Sequence, residues 1–400
     1  MRALRIALAA ALLLATPALA QQETPAAAPA RGDFTAFVEG LRADAAARGV
    51  SPATFEAAFR SIPGPDPEVL ARIGRQGEFS RPVWEYLTGA VSAGRVARGR
   101  ARGEALAGTL AKIEARYGVP RAMLLALWGV ESDFGASGGG LSVVRSLATL
   151  AQAGHRGTLF RDELLAALVI LQKGDVPPDR LKGSWAGAMG QVQFLPSVYL
   201  AHAVDFDGDG RRDIWGSDAD ALASIAAYLR ALGWDPALSW GYEVRLPGDF
   251  DLTRYAGPLS DFAARGAKRT DGKPLPGSGE GSLFLPGGIG GPVFLITGNF
   301  EALRGYNTSD AYALAAGHLA DRIAGGPALS APWPSAAARL DRNGLLALQK
   351  GLAREGLYGG DADGRAGPKL REAVRRYQIR ERLPADGYAT PDLLKRIETR

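Results

Sequence analysis

The sequence predicts a mostly helical α+β chain, built as one large unit followed by a small helical one. Three observations carry that expectation. Helical hydrophobic periodicity begins near Phe34 and runs, with interruptions, to about Leu171 and Gln172. Between Trp240 and Phe300 the pattern changes to short apolar runs such as YEVRL and PVFLI, separated by Gly and Pro, which indicates small strands and loops. Beyond a Gly- and Pro-rich break, the end of the chain has a helical pattern of its own in two related halves.

In chain order, residues 1–20 combine Arg2 and Arg5, an apolar run and a small-residue end at Ala18, Leu19 and Ala20, as a cleaved secretory signal does. The apolar run is shorter than the roughly 20 residues of a spanning helix, and no later segment is long and apolar enough to span. Export to the periplasm is the expectation, with no membrane span after processing. Cysteine is absent, which removes disulfides, thiolate metal sites, a cysteine nucleophile and a lipoprotein anchor. The Pro/Ala-rich residues 21–32 read as a linker, 33–328 as the large unit, 329–336 (within GGPALSAPWPS) as a second linker, and 337–400 as the small unit. The net charge of +5 includes both signal arginines, and no Lys/Arg stripe interleaved with aromatics occurs, so no nucleic-acid partner is expected.

The chemistry-bearing segments lie in the large unit. In GVPRAMLLALWGVESDFG, Pro120 suits a first helical turn and Gly135 a helix stop, with an almost wholly apolar helix between. Glu131 near its far end would be disfavoured in its charged form by burial and by the negative end of the helix dipole. A raised carboxyl pKa suits a general acid; the plain alternative is a surface glutamate at a helix exit. The block GSWAGAMGQVQFLPSVY supplies Ser184, Met189, Gln191, Gln193 and Phe194, hydrogen-bonding groups and apolar faces among glycines that allow close backbone approach. Its alternative is a Gly-rich packing turn. Tyr306 and Asn307 in GNFEALRGYNTSDAYALAAGHLADRI offer a stacking ring and an orienting amide, or else an aromatic and a turn-forming Asn. Tyr228 in SIAAYLRALGW could face a cleft or the core.

These blocks, in this order, resemble the lysozyme-like lytic transglycosylases, specifically the membrane-bound lytic transglycosylase B family: Glu131, Ser132 and Gly135 match its Glu-Ser-x-x-Gly motif, and Ser184, Gln193, Tyr306 and Asn307 match later blocks. The resemblance implies a lysozyme-like catalytic domain with Glu131 as catalytic acid and then base, and a substrate cleft formed by Ser184, Met189, Gln191, Gln193, Phe194, Tyr228, Tyr306 and Asn307. It implies peptidoglycan glycan strands as substrate, 1,6-anhydromuramic ends as product, no cofactor for catalysis, and cell-wall machinery as protein partners. The sequence itself offers no second carboxylate facing Glu131, because Asp133 is too near in sequence and Glu163 and Glu301 lie outside cleft blocks. A hydrolytic muramidase begins with the same protonation, and an inactive wall-binding scaffold would keep the same fold; both remain alternatives.

VDFDGDGRRDIWGSDADAL places Asp205, Asp207 and Asp209 at alternating positions before Gly210, the Arg211 carbonyl and Asp213, which resembles an EF-hand-like cage for a structural Ca2+. Position twelve is Gly216 where a standard loop has Glu, so Asp218 or Asp220 is the candidate to close an extended loop. A metal-free Asp-Gly turn is the alternative. In the last segment, Leu348-Gln349, Asp363-Gly364, Tyr377-Gln378 and Asp386-Gly387 resemble the three-helix peptidoglycan-binding domain, with Tyr377 replacing the usual Phe.

Overall fold

The computed structural model describes residues 31–73, 82–334 and 339–399, so the expected signal peptide lies outside the described residues. The first helix, Arg31–Glu39, begins inside the stretch read as a linker, because Phe34 and Val38, one turn apart, are already buried against the core.

At the centre of the large unit stands the helix Arg121–Ser132, in which Met123 to Gly129 are all buried. A helix apolar on every side has to be interior. Around it pack the helices Ala93–Ala105, Ala107–Tyr117, Asp218–Ala231 and Asp310–Ile323. Pro120 stands at its N-cap, one position before the first turn in which the sequence places it, and its end comes earlier than Gly135. Asp133 and Phe134 already take left-handed backbone, at φ 51° and 63°. Asp tolerates that region, whereas a bulky aromatic rarely does; Phe134 is held there edge-on to Trp128, ring centroids 5.6 Å apart.

Two sheets interrupt the helices. β1 (Leu141–Ser142) pairs with β2 (Lys182–Gly183), a short antiparallel pair the sequence pattern does not reveal. β3 (Gly241–Arg245), β4 (Ala256–Pro258), β5 (Lys268–Arg269), β6 (Glu280–Phe284) and β7 (Val293–Ile296) form an antiparallel sheet in the order β4-β6-β7-β3-β5. YEVRL and PVFLI supply β3 and β7, two of its three interior strands. Leu283 and Leu295, directly opposite one another, pack with Leu259 and Phe262 of the helix Leu259–Ala264 in a small core of the sheet's own.

The described part of the second linker is not a loose tether. Ser330 N–H and Oγ–H and Ala331 N–H all donate to the Glu243 carboxylate at 2.9 to 3.3 Å, and the Trp333 ring lies 5.9 Å from that of Trp84. Pro332 and Pro334 keep the described part of this segment out of helix and sheet, but Trp333 and the N–H groups of Ser330 and Ala331 still find partners.

The small unit is three helices, Arg342–Arg354, Pro368–Arg380 and Pro391–Glu398, around Leu348, Leu352, Val374, Tyr377 and Ile397. Its repeated halves have a shared local logic. Buried Gln349 donates to Asp363 at 2.8 Å and accepts from Gly364 N–H at 2.7 Å. Gln378 does the same to Asp386 at 2.6 Å and from Gly387 at 2.8 Å. Both glycines sit at positive φ, 70° and 72°, which the turn requires.

Candidate active site

Glu131 lies in the last turn of the central helix, partly accessible as a residue but with its carboxyl desolvated. Burial pushes its pKa up to about 7, while a hydrogen bond from the Tyr312 hydroxyl to Oε1, 2.5 Å, pulls the other way. Tyr312 comes from the first turn of the helix Asp310–Ile323, which packs directly on the Glu131 helix. Tyr86, from the helix Val83–Ala90, also feels the Glu131 charge, and burial with that charge pushes its phenol up to about 12.

The carboxylates weighed as a second partner are each engaged elsewhere. Asp133 pairs with Arg98 at 2.7 Å and Arg95 at 3.3 Å, and these arginines hold its pKa below the ordinary value. Glu163 is buried and accepts from Ser197 N–H and Oγ–H at 2.9 and 2.7 Å. Glu301 pairs with Arg304 at 2.5 Å.

Hydrogen bonds stitch the Gly-rich block to the Glu131 helix. Ser132 Oγ donates to the Gln191 carbonyl at 2.6 Å and accepts from Gly135 N–H at 3.0 Å. Trp128 Nε1–H donates to Gln191 Oε1 at 2.7 Å. A Cβ on Gly135, at φ 85°, would stand 2.5 Å from that same Oε1. The motif glycine therefore leaves room for a buried glutamine that locks the end of the Glu131 helix.

Aromatic residues build the surroundings. Phe194, Tyr228 and Tyr306 form a mutual cluster with ring centroids 5.2 to 5.8 Å apart, and Tyr306 stacks toward Tyr312 at 6.4 Å. Tyr306 OH donates to the Val192 carbonyl at 2.8 Å, tying the third block to the second. Tyr228 is half-buried at the edge of this cluster, beside the His202 ring at 5.0 Å. Through Tyr312 the structure thus joins Glu131 to Phe194, Tyr228 and Tyr306.

Other sequence-chosen residues have more structural surroundings. Met189 and Phe194 are almost wholly buried, and the amide of Gln191 is used on both sides, by Trp128 and by the Trp215 carbonyl at 3.3 Å. They form the wall beneath the surface. Ser184 Oγ accepts from Ala186 and Ala188 N–H at 3.3 and 3.1 Å, closing the Gly-rich turn. Half-buried Gln193 sits at φ 50° and donates to the Gly138 and Gly190 carbonyls at 3.0 and 2.9 Å. Asn307 is exposed, ends the helix Gly298–Tyr306 and accepts from Ser309 N–H at 3.3 Å.

Sequence reasoning passes over Tyr312, Tyr86 and Trp128. All three read as ordinary apolar positions of helices, and their only distinctive signal is an aromatic ring with a polar tip in a core segment.

In the acidic loop, Asp205, Asp207 and Asp209 offer carboxylate oxygens within 4.8 Å of one another. Arg211 N–H donates to Asp209 at 2.8 Å, which curls the backbone around the group. Asp213 is turned to the N–H groups of Trp215 and Gly216 at 2.9 and 2.8 Å. Asp220 is fully buried, with Oδ1 on Phe206 N–H at 2.7 Å and Oδ2 on Asp213 N–H at 2.8 Å. It closes the loop through backbone hydrogen bonds and stands outside the three-carboxylate group. Asp218 instead lies 3.8 Å from Arg102.

Known proteins share this architecture. Residues 33–321 match the family described as Transglycosylase SLT domain, and residues 341–397 match a peptidoglycan binding domain family. The chain is 36% identical over 215 residues to membrane-bound lytic murein transglycosylase B of Escherichia coli, an alignment covering 52% of this chain and 58% of that protein. The crystal structure of SltB3 from Pseudomonas aeruginosa in complex with NAG-anhNAM-pentapeptide superposes with a TM-score of 0.84 at 46% identity, covering 91% of this chain and 99% of that one. The Escherichia coli lytic transglycosylase Slt35 in complex with calcium superposes with a TM-score of 0.60 at 28% identity, covering 73% and 92%.

Proposed function

The chain belongs to the transglycosylase SLT domain family, and from that premise we propose that it is a lytic transglycosylase of peptidoglycan with Glu131 as acid and base. The observation that carries this reading is a carboxyl, pushed up to about 7 by burial, whose side-chain partner among the described residues is a hydroxyl and not a second carboxylate. A group of that pKa is protonated often enough near neutral pH to give its proton and basic enough to take one back.

In the proposed reaction, protonated Glu131 donates to the glycosidic oxygen between N-acetylmuramic acid and N-acetylglucosamine as the C1–O4 bond breaks. The carboxylate then removes the proton of the muramic C6 hydroxyl, and O6 closes on C1 to give the 1,6-anhydro end. Glu131 is left protonated for the next cycle, and no water is consumed. A two-carboxylate hydrolase would need a second acid or base across the bond, and the candidates weighed for that role are held by Ser197 or by arginines. The Pseudomonas relative crystallised with an anhydro-muramyl ligand supports the same product. Mass spectrometry of digested peptidoglycan tests the reading: muropeptides one water lighter than a muramidase product are expected, and reducing muramic ends alone would overturn it.

The small unit is proposed to hold wall glycan or peptide and raise the local substrate concentration for the site. Residues 1–20 are proposed to direct export to the periplasm; among the described residues no helix is long and apolar enough to cross a membrane. The three-aspartate loop is proposed to hold a structural Ca2+, by Asp205, Asp207, Asp209 and the Arg211 carbonyl. The donor set is all hard oxygen, as Ca2+ prefers, and three like charges this close repel without a cation.

A further inference from the structure

Contacts of the small unit reach the candidate active site. One face of its helix Pro368–Arg380 presents Arg371, Glu372 and Arg375 to the large unit. Glu372 accepts from the Tyr255 hydroxyl at 2.9 and 3.1 Å, and Arg375 donates to the Leu283 carbonyl with its guanidinium 4.4 Å from the Tyr255 ring centroid. Arg371 lies 4.7 Å from the Phe284 ring centroid and bonds Asp310 Oδ2.

Asp310 opens the helix that carries Tyr312. Its other oxygen lies 2.7 Å from Arg304 Nε, at the end of the preceding helix Gly298–Tyr306. One carboxylate, 9% exposed, therefore sits between an arginine of each unit, and Arg371 is itself only 15% exposed. Two residues beyond Asp310, in the same helical turn, the Tyr312 N–H is capped by Ser309 Oγ at 3.4 Å and the Tyr312 hydroxyl reaches Glu131. Two residues beyond Arg304 is Tyr306, stacked toward Tyr312. The gripped turn thus lies between Tyr306 and Tyr312, two of the tyrosines of the site. A docking face made of charged pairs fixes orientation more than it adds affinity, since desolvation offsets most of the attraction. That suits alignment better than mere attachment.

We propose that Arg371 of the small unit is a positioning residue for the reaction: by holding Asp310 it sets the first turn of the helix Asp310–Ile323, and with it the Tyr312 hydroxyl on Glu131. The small unit then completes the active site as well as serving the wall. This rests on the reading of Glu131 as the acid and base.

The test uses the full chain and soluble glycan strands, with kcat, KM and the pH profile measured for Arg371→Met, Arg371→Lys, Tyr312→Phe and the double variant. Arg371→Met is expected to lower kcat about fivefold with KM within about twofold, and to move the basic limb of the profile upward, as loss of the Tyr312 hydrogen bond would. Arg371→Lys should recover most of kcat, and Arg371→Met should add nothing in the Tyr312→Phe background. Asp310→Asn breaks the same pair from the other side, together with the Arg304 pair, and must lower kcat and move the basic limb at least as far, which covers poor folding of Arg371→Met. A wild-type kcat and pH limb, a change confined to KM, or full additivity with Tyr312→Phe would overturn the proposal. Glu131→Gln in the same assay separates the two ideas: an active Glu131→Gln removes the underlying reading, whereas an inactive one beside a normal Arg371→Met removes only the role of Arg371.

Discussion

At the end of the Arg121–Ser132 helix a single carboxyl is withdrawn from water with one phenol to hold it, whereas in the Asp205–Asp209 loop three carboxylates stand near the surface with their oxygens within 4.8 Å of one another. The loop compensates each charge locally: Asp205 accepts from Gly208 and Gly210 N–H, Asp207 from Asp209 N–H and Ser217 Oγ–H, and Asp209 from Arg211 N–H. Among the described residues Glu131 has no such N–H donors. The same functional group is made proton-retaining in one place by desolvation, and in the other is gathered near the surface by backbone N–H and hydroxyl donors. Proton transfer requires the first arrangement and cation binding the second.

The largest effect that could break this contrast is on turnover. Glu131→Gln keeps shape but not the proton, and a loss of about a thousandfold or more in anhydromuropeptide release is expected. A variant retaining turnover would mean the buried carboxyl is structural. The same variant sharpens the contrast through stability. A carboxyl whose pKa rises from 4.5 unfolded to about 7 folded favours the native state most below pH 4.5, and that advantage falls away as pH rises to about 7. Relative to wild type, Glu131→Gln should gain up to about 3 kcal/mol at pH 8 and progressively less towards pH 4.5 in denaturant titrations.

A smaller effect attaches to the phenol. Tyr312→Phe removes the interaction that lowers the Glu131 pKa, so the basic limb of kcat/KM should move upward from about 7, with a loss of about tenfold in kcat. An unmoved limb would leave burial as the sole control. Smallest is the loop: millimolar Ca2+ over chelator should raise the melting temperature by about 3 °C, and Asp207→Asn should abolish the rise without altering turnover at low temperature. No Ca2+-dependent shift would make the loop a self-satisfied Asp-Gly turn.

Features with a local cause are legible in the amino-acid sequence. The apolar helix that carries Glu131, the short strands at YEVRL and PVFLI, and the paired Gln and Asp-Gly signals of the small unit, at most 15 residues apart, each arise within one stretch of chain. Periodicity and turn chemistry write such features directly into the chain. The helix stops ahead of Gly135, where its glycine signal points, because Asp133 and Phe134 adopt left-handed backbone first, Asp133 held by Arg98 of another helix and Phe134 folded back on Trp128 of its own. Gln191 is legible as polar and near the site; its engagement on Trp128 and Trp215 is not.

By itself, then, the sequence determined where an unusual carboxyl would stand, which Gly-rich block would approach it, and that a second helical unit would follow. Only the tertiary structure decided what that carboxyl touches: Tyr312, 181 residues away, and behind it Asp310 and Arg371 from the other unit. The physical reason is that burial, and the hydrogen bond that opposes it, depend on which helices pack together. A tyrosine that will hydrogen-bond a buried carboxyl has the same place in an apolar helical pattern as one that only fills the core.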